Sequence, residues 1–125
     1  MINPNVLRKK VLDMVYEKKS GHIGGSFSMA ELVSVLYHYY DIGGKDKFIL
    51  SKGHAVPIIY AVLHELGRIS DKDLSLFREI DSPLQGHPDK IRLPEMDATT
   101  GSLGQGLSIA IGHALGKQLR GEDGK

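Results

Sequence analysis

Apolar positions recur every three to four residues in five segments of the chain, which predicts five α-helices joined by polar connections. The first helix is expected to begin at Asn3-Pro4, because asparagine is a good N-cap and proline suits the first helical position. It can end at Gly21, and its buried face is predicted to consist of Leu7, Val11, Met14 and Val15. Such a segment buries one face and leaves the other in water.

The second predicted helix follows a loop at 20–27. Ser28 and Glu31 have the spacing of a capping box, which predicts that the helix starts there and runs to about Tyr40. Its apolar residues on one side are Leu32, Val35, Leu36 and Tyr39. The spacing therefore predicts that this side is buried.

Three more helices follow. The third is expected after His54, with Pro57 in its first turn and Gly67 just past its end. The fourth is short, is capped by Ser70 and Asp73, and carries Leu74 and Phe77. The fifth begins near Leu103, where Ser102 and Gln105 have capping-box spacing. Its apolar face comprises Leu107, Ala110, Ile111, Ala114 and Leu115, and Gly112 and Gly116 predict close packing against a neighbouring element.

Only one segment reads as a strand. Residues Lys47–Leu50 are apolar and bounded by turns, whereas 81–100 is irregular and contains three prolines. A loop this long inside a compact domain is usually either functional or a segment whose secondary structure has been wrongly assigned. The expected appearance of residues 1–125 is therefore one domain, or part of one, that is mostly helical.

Composition narrows the function classes. Hydrophobic residues make up 41% and charged residues 25% of the chain, as in a globular domain, and the net charge is +1 without a basic run. We therefore expect no nucleic-acid or membrane partner. There is no cysteine, and the polar N-terminus does not resemble a signal peptide. A cytoplasmic location is the expectation.

Three histidines share a loop context that favours chemistry. His22, His54 and His87 each follow a glycine, whereas His38, His64 and His113 fall inside predicted helices, where a structural or surface role is expected. Histidine exchanges protons near neutral pH and hydrogen-bonds oxyanions. The three loop histidines therefore predict a shared polar pocket, although each alone also fits an ordinary turn.

Two other interpretations fit the residues less well. The loop histidines are 32 and 33 residues apart, which matches no compact zinc pattern, and His64-Glu65 lacks the second histidine of a metalloprotease helix because position 68 is Arg. The glycines of "TTGSLGQG", residues 99–106, are in the wrong order for a dinucleotide fingerprint. A phosphate-bearing ligand fits better, because Gly104 and Gly106 would expose amides at a helix N-terminus.

Four ordered blocks carry a resemblance to a known family. They are "SGHIGGSFSMAEL", "FILSKGHAVPIIYAVLHELG", "GHPD" and "TTGSLGQGLSIAIGHALG". Together they resemble the N-terminal, diphosphate-binding part of transketolases, over about 6–117, and most of all the version encoded as a separate N-terminal subunit. The resemblance implies the α/β thiamine-diphosphate-binding fold, a doubly wound parallel sheet with flanking helices, truncated here so that helices dominate.

The resemblance also implies an enzyme that uses thiamine diphosphate to move a two-carbon ketol unit between sugar phosphates. By block position, His54 would contact the cofactor diphosphate and His22 would border cofactor and substrate. His87 would reach the substrate hydroxyls and the reaction intermediate. Gly101 and Leu103 would offer main-chain groups to the aminopyrimidine, with Ser102 between them. The cofactor itself carries the difficult chemistry, so these residues would orient it, hydrogen-bond and relay protons.

Some positions depart from the family pattern. Lys52 occupies a position where the family frequently has an amide or a small residue. Ile23 and Ser102 occupy positions where the family commonly has proline. The acidic Gly-Asp-Gly motif and downstream asparagine that hold the bridging Mg²⁺ or Ca²⁺ in the family have no counterpart here, so no metal ligand is assigned within this chain. We interpret residues 1–125 as a domain portion that is incomplete at its C-terminus.

The resemblance implies a partner, the pyrimidine-binding subunit or domain, in a homodimer or heterotetramer. The fragment alone is expected to be inactive. The alternatives are another thiamine-dependent ketol transferase or synthase, such as a deoxyxylulose- or dihydroxyacetone-forming enzyme, and a non-catalytic remnant that only binds a partner subunit.

Overall fold

Helix α4 lies at the centre of the fold, because its sequence is apolar on all sides. In the computed structural model, which describes all residues 1–125, α4 spans Pro57–Glu65, and every residue of 57–63 is buried. The other helices are α1 (Pro4–Lys18), α2 (Ile23–Phe27), α3 (Ala30–Tyr39), α5 (Asp71–Ser75) and α6 (Gln105–Arg120), and a 3-10 turn (Gly53–Ala55) precedes α4. Helices α1, α2, α3 and α5 pack directly on α4.

The prediction for α1 is confirmed. The Asn3 side chain accepts a hydrogen bond from the Asn5 amide at 2.9 Å, and Pro4 occupies the first turn. The buried residues are Leu7, Val11, Met14 and Val15, the face that the spacing predicts. The helix ends slightly earlier than expected, because Lys19 adopts a left-handed conformation at φ 50°.

The prediction of a loop at 20–27 and of a capping box at Ser28 is wrong. Residues 23–27 form α2, and α3 begins at Ala30 without a side-chain cap. The Ser28 hydroxyl instead donates to the Gly25 carbonyl at 3.1 Å, and the Glu31 carboxylate pairs with Arg8 at 2.6 Å. Both capping side chains are therefore engaged elsewhere.

The predicted buried face of α3 is also wrong. The helix buries Ala30, Val33 and Ser34, whereas Leu32, Val35 and Tyr39 are exposed and Leu36 is half-buried. Small and β-branched side chains allow α3 to approach α1 and α4 closely. The larger apolar side chains consequently face outward.

The strand prediction for 47–50 is not met within these residues. The only sheet-like pairing is an isolated bridge between Ile42 and Asp46. A strand needs a hydrogen-bonding neighbour. Here the Lys47 amide donates to the Lys125 carbonyl at 2.8 Å, and the Phe48 amide donates to the Asp97 carboxylate at 2.9 Å. The doubly wound sheet of the expected fold class is thus not present in residues 1–125.

The short helix α5 has the predicted capping box. The Ser70 hydroxyl accepts from the Asp73 amide at 3.2 Å, and the Asp73 carboxylate accepts from the Ser70 amide at 2.8 Å. Phe77 lies beyond the end of α5 and is fully buried. The segment 81–100 has no helix or strand, as expected.

Helix α6 departs from its prediction in two ways. It begins at Gln105 behind Gly104, whose φ of 90° favours glycine, so Ser102 does not cap it. Gly112 and Gly116 do not pack against a neighbouring element, because Gly112 has open space around it and Gly116 lies near only Arg120 of its own helix. The apolar residues Leu103, Leu107, Ile111, Leu115 and Leu119 are exposed.

None of the helices is both long enough and apolar enough to cross a membrane.

Candidate active site

Two of the three loop histidines contact each other. The rings of His22 and His54 lie edge to face, with centroids 5.1 Å apart and planes at 66°. His22 immediately precedes α2, and His54 lies in the 3-10 turn before α4. Gly25 permits the contact, since a Cβ there would lie 3.3 Å from His54 Nε2. The two residues therefore form one polar patch between α2 and the turn.

The buried Ser26 side chain fixes the position of α2 against this turn. Its hydroxyl donates to the Ala55 carbonyl at 3.2 Å and lies 3.3 Å from the His22 carbonyl. Because Ser26 has no exposed surface, these bonds hold the two histidine-bearing segments at a fixed spacing.

The glycine loop runs directly beside the histidine pair. A Cβ at Gly53 would lie 2.7 Å from the Thr100 carbonyl oxygen, so only glycine permits this approach. The buried Thr100 hydroxyl donates to the Leu50 carbonyl at 2.6 Å and anchors the loop from the other side. These contacts place Gly101, which follows Thr100, near the segment that carries His54.

His87 is held in its loop by a buried tyrosine. The Tyr60 hydroxyl is 2.8 Å from the Gln85 carbonyl and 3.5 Å from the His87 carbonyl. Burial raises the pKa of Tyr60 above its usual value, so the hydroxyl stays a neutral donor. The His87 ring faces Gly101, where a Cβ would lie 3.7 Å from His87 Cδ2.

An open cleft of about 500 Å³ lies beside His87. Its lining includes Arg78, His87, Asp89, Gly101, Ser102 and Gln105. Most lining residues are polar, which suits a hydroxyl-rich or charged ligand better than an apolar one. The cleft is open to solvent, and His87 is exposed within it.

The predicted site residues thus fall into two adjoining groups. His87, Gly101 and Ser102 line the cleft, whereas His22 and His54 form the neighbouring pair and are not part of its lining. The backbone contact between Gly53 and Thr100 joins the groups. Leu103 is exposed and also lies outside the cleft lining. The roles of all six residues stay predictions.

Sequence reasoning missed one charged residue of the cleft. Arg78 lines the cleft although it precedes His87 by nine positions and lies in no recognised motif. Its backbone adopts φ 62°, which is uncommon for a residue with a side chain. Nothing in the local sequence indicates that conformation.

The residues present fit a diphosphate-bearing cofactor. His22 and His54 offer ring N–H groups, and no side chain caps the N-terminus of α6, whose positive end favours an anion. Gly104 at φ 90° has open space around it, which leaves bare backbone at that helix end. The residues do not fit a metal ion in the same way, because no three acidic or histidine side chains cluster to hold one.

Comparison with known proteins agrees with this arrangement. Residues 2–123 match the family described as "Transketolase, thiamine diphosphate binding domain". One relative, named as a subunit of the apulose-4-phosphate transketolase of Phocaeicola vulgatus, is 36% identical over 94% of this chain, and the match spans 44% of that protein. The transketolase of Buchnera aphidicola subsp. Baizongia pistaciae is 37% identical over 91% of this chain and 18% of its own length.

Solved structures give the same relationship. The transketolase from Leishmania mexicana superposes with a TM-score of 0.81 and 36% identity, covering 87% of this chain and 18% of that one. A Pichia stipitis transketolase in complex with sedoheptulose 7-phosphate gives a TM-score of 0.76 at 30% identity, over 83% of this chain and 17% of that one. The chain therefore spans less than half the length of these relatives. With the glycine loop beside the histidine pair, these matches show that the chain belongs to the transketolase family and matches its thiamine-diphosphate-binding domain.

Proposed function

We propose that this chain forms the diphosphate-binding part of a transketolase that transfers a two-carbon ketol unit between sugar phosphates. The observation that carries the proposal is the junction of the His22–His54 pair with the glycine loop, in a chain whose residues 2–123 match the family domain. Thiamine diphosphate, when bound, supplies the reactive carbon and the electron sink for breaking and forming the carbon–carbon bond. The protein residues bind, orient and move protons.

Each residue has a distinct role in this proposal. His54 donates a hydrogen bond to a diphosphate oxygen, and His22, in contact with it, borders cofactor and substrate. Gly101 and Leu103 present main-chain groups to the aminopyrimidine ring, with Ser102 between them. His87, exposed in the cleft, hydrogen-bonds substrate hydroxyls and exchanges a proton with them.

A divalent cation, Mg²⁺ or Ca²⁺, belongs to the proposed holoenzyme, with ligands outside residues 1–125. A hard cation needs several oxygen ligands, and residues 1–125 do not bring such a cluster together. We assign no step of the reaction to it.

The proposal includes a pyrimidine-binding partner, as a second subunit or a further domain, within a homodimer or heterotetramer in the cytoplasm. One relative is itself named as one subunit of a transketolase, which supports a separate partner chain. The outward face of α6 also supports a partner, because Leu107, Ile111 and Leu115 are each more than half exposed and continue directly from the glycine loop. In that assembly, segment 47–50 is proposed to join the parallel sheet of the complete fold.

The relatives support transketolase over the alternatives. The named matches are transketolases, whereas a deoxyxylulose- or dihydroxyacetone-forming enzyme is not among them. A partner-binding remnant is not favoured either, since the site histidines are all present.

Calorimetry with thiamine diphosphate and Mg²⁺ tests the proposal. Hydrogen bonds to a charged group contribute about 1.5–3 kcal/mol each, and lost translational and rotational freedom offsets two or three of them. We expect at most millimolar binding to residues 1–125 alone, and far tighter binding plus ketol transfer once the metal motif and the pyrimidine-binding partner are supplied. His87→Ala should then weaken turnover. Failure of the assembled protein to bind the cofactor would overturn the proposal.

A further inference from the structure

We infer that Lys52 and Ser28 are positioning residues for the His22–His54 pair, and that they act by fixing the C-terminal end of α2. The hydrogen bonds from Lys52 to Ser28 and from Ser28 to Gly25 are called the α2 clamp below. The role of the pair toward a cofactor rests on the proposed function, whereas the clamp itself rests on contacts within the chain. The family match and the relatives' names assign no role to either residue.

Helix α2 needs contacts from outside itself to keep its position. It has only five residues, Ile23–Phe27, and a helix this short is not stable on its own. Carbonyl groups at a helix end also need partners beyond the helix. The Gly25 carbonyl accepts from the Ser28 hydroxyl at 3.1 Å. The Phe27 carbonyl accepts from the guanidinium of Arg8 at 3.3 Å. Side chains therefore hold the end of α2.

Lys52 determines the direction in which the Ser28 hydroxyl points. The Lys52 ammonium lies 3.1 Å from Ser28 Oγ. An ammonium only donates hydrogen bonds, so the Ser28 oxygen accepts this one and keeps its single proton for the Gly25 carbonyl. Hydrogen bonds linked in this way strengthen each other, and the bond from Lys52 is charge-assisted. Without Lys52 the hydroxyl loses the contact that orients it.

The clamp begins and ends at the turn that carries His54. Lys52 directly precedes the 3-10 turn, and its carbonyl accepts from the Ala55 amide at 2.8 Å, which fixes its backbone there. Gly25, at the other end of the clamp, lies against the His54 ring, since a Cβ on Gly25 would be 3.3 Å from His54 Nε2. The turn therefore contacts α2 through both the Lys52 side chain and the His54 ring.

The clamp adds a second point of attachment to the buried Ser26 contact. The Ser26 hydroxyl donates to the Ala55 carbonyl at 3.2 Å. A single hydrogen bond leaves a short helix free to rotate about it, whereas a second bond at Ser28 fixes its orientation. Because His22 directly precedes α2, a rotation of the helix would carry its ring away from His54. The clamp therefore maintains the edge-to-face geometry of the pair.

NMR of the free chain with ¹³C-labelled histidine rings tests the inference. The ring protons of His22 and His54 lie in each other's ring current, so their signals report the geometry of the contact. Lys52→Met and Ser28→Ala should shift both sets of signals and weaken the NOE between the rings. Lys52→Arg keeps a charged donor and should restore the original signals at least in part. The urea unfolding midpoint should change little, because Ser28 is exposed and Lys52 is only half-buried.

The chain offers a matched control for each variant. The Ser75 hydroxyl at the end of α5 donates to the Lys72 carbonyl at 2.8 Å, also three residues earlier, so Ser75→Ala removes the same local bond as Ser28→Ala. Lys9→Met removes an exposed lysine of α1 that pairs with Asp13. Neither control should change the histidine signals.

Thiamine diphosphate binding by the assembled enzyme, measured by calorimetry, separates positioning from direct contact. Lys52→Met and Ser28→Ala should each weaken binding by about three- to tenfold. The double variant should bind no more weakly than either single variant, because both substitutions break the same chain of hydrogen bonds. A larger loss for Lys52→Met, with effects that add, would mean that Lys52 contacts the ligand directly and would overturn the inference.

The free-chain measurement uses no cofactor, so it separates failure of this inference from failure of the proposed function. Histidine signals that stay unchanged in Lys52→Met and Ser28→Ala would overturn the inference. Altered histidine signals with unchanged cofactor affinity would support the clamp and would contradict the proposed contact of His54 with the diphosphate.

Discussion

His22 and His54 come from segments 32 residues apart, yet their imidazole rings meet edge to face at 5.1 Å. The contact depends on the short helix α2. The sequence pattern predicts a loop in that segment and not a helix. Any change that moves one ring is transmitted to the other. The proposed contact of His54 with the cofactor diphosphate therefore depends on the position of His22 as well.

Gly25→Ala tests this dependence. The added methyl would lie 3.3 Å from His54 Nε2, so the ring must shift. We expect about tenfold weaker thiamine diphosphate binding by the assembled enzyme, because one charge-assisted hydrogen bond is misaligned. Gly24 lies on the same helix, and a Cβ there would meet no other atom within 4 Å, so Gly24→Ala is the matched control. Equal cofactor affinity in both variants would show that His54 does not contact the diphosphate.

Gly53→Ala should destabilise the chain. The new Cβ would lie 2.7 Å from the Thr100 carbonyl oxygen, which belongs to anchored backbone and cannot easily give way. We expect the free energy of unfolding in urea to fall by about 1–3 kcal/mol. Gly112→Ala, in open space within α6, should instead raise it by up to about 1 kcal/mol. A Gly53→Ala variant as stable as the original chain would contradict the close approach of the Thr100 backbone to Gly53.

Tyr60→Phe should loosen the loop that carries His87. The variant removes the hydroxyl that bonds the Gln85 carbonyl at 2.8 Å and leaves that carbonyl without its partner. Denaturant unfolding should show a loss of about 0.5–1.5 kcal/mol, and the His87 NMR signal should broaden. Tyr16→Phe, at a highly exposed position, is the control and should change stability by less than about 0.5 kcal/mol. An unchanged His87 signal would argue against its positioning by Tyr60.

Helix α5 should lose its N-terminal cap in acid. Hydrogen bonds from the Ser70 hydroxyl and amide hold the pKa of Asp73 below its ordinary value. A lowered pKa in the folded state stabilises the helix above the unfolded pKa of about 3.9, and this stabilisation is lost as the pH falls through the folded value. The Ser70 and Asp73 amide shifts, followed from pH 6 to about pH 2 by NMR, should report the loss.

Two variants complete the acid test. Asp73→Asn should remove that transition, whereas Asp13→Asn, on the exposed side of α1, should leave it in place. A transition that persists in Asp73→Asn would mean that another group controls the end of α5.

Leu115→Asp should weaken assembly with the pyrimidine-binding partner without unfolding the chain. The side chain is 54% exposed in the chain, so a carboxylate there stays hydrated until a partner covers it. Analytical ultracentrifugation of the mixed subunits should show at least about tenfold weaker association. Leu12→Asp, at a 46% exposed leucine of α1, should not affect it. Equal effects of both variants would exclude α6 as the contact face.

Local sequence signals proved reliable where the interaction itself is local. The Asn3-Pro4 start of α1 and the Ser70–Asp73 capping box involve partners at most three residues apart, and both are confirmed. The same signals failed for α3 and α6. Their candidate caps, Ser28 and Ser102, are displaced because the chain before each helix is held by other contacts or by Gly104 at positive φ.

The candidate site shows the same division. Residue type alone singled out the three Gly-His loops and the glycine-rich segment 99–106, because such backbone and side chains suit an anionic cofactor. Arg78 carried no such signal. Its place in the cleft follows from a left-handed backbone and from contacts with Phe77 and Gly86.

The sequence by itself determined that the chain is mainly helical, where α1, α4 and α5 lie, and which side chains are available for chemistry. Each of these properties depends on hydrogen bonds and apolar spacing within one segment. Only the tertiary structure decided which face of α3 is buried, that 47–50 lacks a strand partner within these residues, and that His22 meets His54. Those outcomes depend on contacts between residues distant in sequence. The local spacing of apolar residues does not specify which helix face meets the core or which segments pair, so tertiary packing decides both.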